Sequence, residues 1–87
     1  MKKDIYTIYL KKKDFDFVEK EIGVKNLIEF EEIKEIDNTQ YKIKIHEAEL
    51  EAFAHVCAHS CDHIESDRKA RRLDNIALIL ETYLDKF

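Results

Sequence analysis

Gly23 is the only glycine in this chain, and there is no proline. Those two residues supply most tight reversals and left-handed cap positions. A chain nearly without them is expected to consist of long regular elements joined by short polar connections. Hydrophobic residues make up 45% of the sequence, ordinary for a folded chain. The 87 residues suffice for a single domain around one small core. The expectation is one α+β domain spanning residues 1–87.

Residues Ile5 to Leu10 alternate Tyr6, Ile8 and Leu10 against Ile5, Thr7 and Tyr9. Both sets are mainly aromatic or β-branched, so the spacing predicts a strand buried on both faces and central in its sheet. Asp14 and Asp16 offer N-caps for a short helix, with Glu19 at capping-box spacing from Asp16. Phe15, Val18 and Ile22 share one face of that helix, and Gly23 ends it. From Leu27 to Ile36 the apolar residues scatter around a helix and fit a strand only with a bulge near Glu31-Glu32. A strand is nevertheless expected there, because Tyr41-Lys-Ile43-Lys-Ile45 alternates cleanly after the polar turn Asp37-Asn-Thr-Gln and needs a hairpin partner. Lys42 and Lys44 would then lie opposite the glutamates of the preceding strand, each pair contributing about 0.2–1 kcal/mol.

A second long helix is expected from about Glu47 to Glu65, with Leu50, Phe53, Ala54, Cys57, Cys61 and Ile64 as its apolar stripe. Continued in phase, that stripe would meet Arg68, Arg71, Arg72 and Asn75, which do not suit a core. A new stripe through Leu73, Ile76, Ala77, Leu80, Tyr83, Leu84 and Phe87 is rotated by about 140° from the first. Ser66 or Asp67 is therefore placed as the cap of a third helix in an αα-hairpin. The resulting order is β-α-β-β-α-α: a small three-stranded sheet with its helices packed mainly on one face.

Metal-capable side chains recur at every second position in His55-Val-Cys57-Ala-His59-Ser-Cys61-Asp-His63. On a strand all five would share a face; on a helix they divide. Strong helix formers precede the motif, so Cys57 and Cys61 fall on the apolar stripe while His55, His59 and His63 fall opposite. His59 can pair with either neighbour at i, i+4 spacing, but His55 and His63 stand about 12 Å apart along the axis, too far to share one ion. Asp62 is the only obvious local addition. No cofactor is expected. The alternative is zinc or nickel on His55, His59, His63 and Asp62; the simpler reading is a hydrated or dimer-facing histidine stripe.

Net charge is −4, which argues against nucleic-acid binding over the whole surface. Its distribution is uneven. All arginines fall in Arg68-Lys69-Ala-Arg71-Arg72, whereas the middle of the chain is acidic. The cluster would sit in the first turns of the last helix, where the macrodipole disfavours cations by about 0.3–1 kcal/mol each. It is either an anion or nucleic-acid site or, more simply, a solvated run paired with Asp67, Asp74 and Glu65. No aromatic interleaves with it, so nucleic acid is not the expected partner.

No Gly-rich phosphate loop, nucleophile elbow or base-activated thiol is visible, and the chain is not expected to be an enzyme. The N-terminus lacks a signal-peptide core, no stretch approaches a membrane span, and two cysteines one turn apart read as reduced thiols in the cytoplasm. The leading expectation is a binding or regulatory protein whose partner is another protein. Leu78 lies off the last helix's stripe and Ile79 flanks it, leaving more apolar surface than one contact face requires. A homodimer through Leu78, Ile79 and Tyr83 is expected.

Overall fold

A computed structural model describes residues 4–84. Strands β1 (Ile5–Lys11), β2 (Glu32–Glu35) and β3 (Gln40–His46) form one antiparallel sheet in the order β1-β3-β2. Helices α1 (Lys12–Ile22) and α2 (Val24–Leu27) follow β1, and α3 (Glu47–Ser60) and α4 (Asp67–Leu84) follow β3. A 3-10 turn, Cys61–His63, comes between the last two. The α+β class and the three-stranded sheet match the sequence reading. The one-turn α2 and the 3-10 turn were not anticipated.

Register decides the faces. Tyr6, Ile8 and Leu10 pair with Ile45, Ile43 and Tyr41, and Ile33 joins the same row as Ile43. Ile8, Leu10, Ile43 and Ile45 are buried there beneath Phe15 and Val18 of α1, Leu50, Phe53 and Cys57 of α3, and Leu73, Ile76 and Leu80 of α4. The opposite face carries Ile5, Thr7 and Tyr9, all exposed. β1 is thus an edge strand buried on one side, not a central strand buried on both. With every packed helix on one face, apolar content on the other has nothing to cover it.

Gly23 sits at φ 76° and ψ 47° and donates its N–H to the Glu19 carbonyl, the left-handed cap that a glycine satisfies without strain. α1 starts at Lys12 with no side-chain cap, earlier than the aspartates suggested, because the chain leaves β1 directly and Lys12 N–H donates to the Thr39 carbonyl at 2.8 Å. The expected strand from Leu27 to Ile36 shortens to Glu32–Glu35. Val24 of α2, then Ile28, are buried without strand pairing, and Phe30 packs against the core, which explains the irregular apolar spacing. The hairpin turn is built by Asp37, whose Oδ1 accepts from Thr39 N, Thr39 Oγ1 and Gln40 N at 2.7, 2.7 and 3.1 Å. The Thr39 hydroxyl is the main reason the Asp37 carboxyl is held below its ordinary pKa.

α3 ends five residues before the expected Glu65. Cys61 and Ile64 lie beyond it and are only half-buried, whereas Leu50, Phe53, Ala54 and Cys57 are fully in the core. The break between helices is where the phase change put it. Ser66 is the cap, its Oγ accepting Lys69 N–H at 3.4 Å and its carbonyl accepting Ala70 N–H at 2.9 Å. Leu73, Ile76, Ala77 and Leu80 are buried along α4 as expected. Phe87 lies outside the described residues.

Candidate functional site

The histidine and cysteine motif separates as helical geometry requires. Cys57 is fully buried, and burial pushes its thiol up to about 12, so it stays protonated as a core side chain. Cys61 donates its S–H to the Ala58 carbonyl at 2.8 Å, and burial, then Asp62 and Asp74, raises its pKa as well. His55 and His59 are exposed, with ring centroids 4.6 Å apart. His63 and Asp62 are exposed in the 3-10 turn, off the regular helix. Among the described residues no group of three or more His, Cys, Asp or Glu side chains gathers closely enough to hold a metal. A two-histidine contact remains. Zinc or nickel titrated into the protein is expected to bind weakly, with no rise in melting temperature at a modest excess of metal. Stoichiometric binding abolished by His59→Ala would contradict this.

The arginine cluster divides differently from either sequence reading. Arg72 reaches from α4 to α1: its Nη2 and Nε lie 3.3 and 3.4 Å from Asp14 Oδ1, and Nη2 donates to the Lys13 carbonyl at 3.0 Å. Its guanidinium also lies 4.5 Å from the Phe17 ring centroid. Lys69 Nζ pairs with Glu21 Oε2 at 3.2 Å. The carboxylates they meet are therefore on α1, brought close by the fold, and not the sequence neighbours Asp67, Asp74 and Glu65. Arg68 and Arg71 are exposed and have no ion pair within 4.0 Å among the described residues. What remains for an anion is two arginines, not a cluster.

Leu78 and Ile79 are 53% and 40% exposed on α4. Tyr83 is half-buried, and its hydroxyl accepts Tyr9 N–H at 3.1 Å and donates to the Tyr9 carbonyl at 3.4 Å. That pair of contacts covers part of the open edge of β1, which would otherwise offer free backbone groups to another strand. On a helical wheel, Arg68, Arg71, Asn75, Leu78, Ile79 and Thr82 form the outer arc of α4, away from Leu80 and its core neighbours. Asp67 and Asp74, both exposed, border that arc beside Leu78.

One surface escaped the sequence reading. On the open sheet face Lys44 stands opposite Glu32, as expected, but Lys42 stands opposite Lys34. Tyr9 completes that row from the other side and is 45% exposed. The final row, Lys11 with Gln40, borders a cleft of ≈ 320 Å³ lined by Lys11, Lys12, Lys13, Asn38, Thr39 and Gln40. Lys12 is bound to Glu35 at 2.9 Å. The fourth histidine, His46, lies 3.0 Å from Glu31. The signal was present in Glu-Ile-Lys34-Glu, but only the hairpin register shows which residues face one another.

Comparison of the chain with protein-family models, with curated proteins and with solved structures finds no match. No helix among the described residues is long and apolar enough to cross a membrane.

Proposed function

We propose that the chain is a small binding protein that acts through protein–protein contacts, without catalytic chemistry of its own, and that its first partner is a second copy of itself. The observation that carries this reading is the outer arc of α4. Leu78 and Ile79 stay exposed there although the core beneath them is already closed by Leu73, Ile76, Ala77 and Leu80. Two copies packing α4 against α4 would remove both side chains from water twice over. Asn75 and Thr82 lie between them on the arc, with Arg68 and Arg71 nearer the start of the helix.

The magnitudes set how strong the contact is. Full burial of a large aliphatic side chain is worth about 1.5–3 kcal/mol, and these are already about half covered. Four such side chains in a symmetric pair supply about 3–6 kcal/mol; a dissociation constant of tens of micromolar represents about 6 kcal/mol net, so the rest of the helix contact has to offset the association cost of at least about 4 kcal/mol. The expected dimer is therefore weak and reversible, forming at tens of micromolar or above (an order of magnitude). Sedimentation velocity over a concentration series should show the sedimentation coefficient rising with concentration, and Leu78→Glu or Ile79→Glu should hold it at the monomer value. A monomer at every concentration up to about 1 mM, the weak end of measurable association, would refute the dimer.

A further inference from the structure

We propose that the open face of the sheet is a binding surface for single-stranded nucleic acid, with Tyr9 as the stacking platform and Lys34, Lys42, Lys44 and Lys11 as the phosphate contacts. The inference is separate from the α4 contact and uses a different surface, the open face of the sheet. Its starting point is the in-register pair Lys34 and Lys42. Like charges directly opposite one another on antiparallel strands, about 4.5–5.5 Å apart at Cβ, are unfavourable. Neither lysine has a carboxylate within 4.0 Å among the described residues. A polyanion lying across the row removes that repulsion.

The rest of the face fits the same occupant. Side chains that share a face repeat about every 6.8 Å along a strand. Lys42 and Lys44 on β3 therefore extend the positive charge along the sheet, and Lys11 continues it toward the lysine-lined cleft. Glu32 is the one carboxylate in the paired rows of this face. The chain as a whole carries a formal charge of −4, so this lysine-bearing face and the exposed Arg68 and Arg71 of α4 stand out against an acidic background. Tyr9 sits beside Lys42, half-exposed, and its backbone is held by the Tyr83 hydroxyl. A base stacked on that ring brings its own phosphate over the lysine row, the pairing of aromatic and cation that single-strand binders use. An acidic peptide would need the lysines but would have no use for the ring.

The test is fluorescence anisotropy of labelled ten-nucleotide oligo(dT) and oligo(U), at 50 and 200 mM salt, with polyglutamate of similar charge as competitor. The wild type should bind and weaken as salt rises. Lys34→Gln with Lys42→Gln should weaken binding and reduce the slope of log K against log salt by about 1.4. Tyr9→Ala should lose about tenfold in affinity with the slope unchanged. Arg68→Gln with Arg71→Gln should behave as wild type. Tyr9, Lys34, Arg68 and Arg71 are exposed and Lys42 is half-buried, and far-ultraviolet circular dichroism of each variant checks its fold. The proposal is overturned by an absence of salt-sensitive binding in the wild type. It is equally overturned by binding that ignores Tyr9 and is displaced by polyglutamate, the signature of an acidic protein partner, or by binding lost only in the arginine variant.

Discussion

Phe15→Ala is expected to remove a large share of the domain's folding stability, about 3–5 kcal/mol. Phe15 is 2% exposed and meets Phe30 and Tyr41 edge-on, at centroid distances of 5.6 and 5.5 Å. Phe30 in turn meets Phe53 edge-on at 5.5 Å. One ring thus joins α1 to β3 and, through Phe30, to α3. Truncating a buried phenylalanine costs about 3–5 kcal/mol, and each aromatic contact adds about 0.5–1.5 kcal/mol beyond its area. At about 0.05–0.15 kcal/mol per residue, a domain of this length has only about 4–13 kcal/mol in total. Urea denaturation followed by circular dichroism measures the loss. Phe17→Ala, at a half-buried ring, should cost far less. A cost at Phe15 below about 1 kcal/mol would show that α1 does not dock as described.

Helix α3 and the hairpin were legible because periodicity reports directly on burial. Leu50, Phe53, Ala54 and Cys57 recur at helical spacing and are buried; Ile43 and Ile45 alternate and are buried. The change of phase after Ile64 likewise located the helix break, and Ser66 was one of its two candidate caps. Other features could not be read locally. Whether Ile5, Thr7 and Tyr9 face a second layer depends on whether any helix crosses to that side. The apolar content of β1 is the same either way. The partners of Arg72 and Lys69 are 58 and 48 residues away in sequence, so no local charge pattern could name them. The lysine row on the sheet depends on a register fixed by the Asp37 turn, and a shift of one residue would have changed every pairing.

The second large effect is at alkaline pH. The Cys57 thiol is pushed from 9.0 up to about 12 by burial alone. In the unfolded chain it loses its proton near 9, whereas in the fold it keeps it. Above pH 9 the folded state therefore binds more protons than the unfolded state, and stability falls as pH rises. The contribution is fully present below about pH 9 and is lost progressively toward pH 12, amounting to about 4 kcal/mol over the whole range. Tyrosines and lysines also titrate there, so the informative quantity is the difference between wild type and Cys57→Ala. The variant should be the less stable at pH 7, through the lost side chain, and should gain on the wild type by about 2–3 kcal/mol by pH 11. A stability difference that stays constant from pH 8 to 11 would mean the thiol is hydrated in the fold.

The two surfaces proposed to bind are built on different elements, α4 and the open face of the sheet, and this separates them experimentally. The proposed contact through α4 would bury Leu78 and Ile79 and would not cover Lys42 and Lys44. Amide chemical shifts recorded from about 1 mM down to about 20 µM, concentrations that bracket a weak dimer, read the contact residue by residue. Dilution should move the resonances of Asn75, Leu78, Ile79 and Thr82 and leave those of Lys42 and Lys44 in place. Resonances on α4 that do not move with concentration, or movement confined to the sheet face, would contradict a homodimer built on α4.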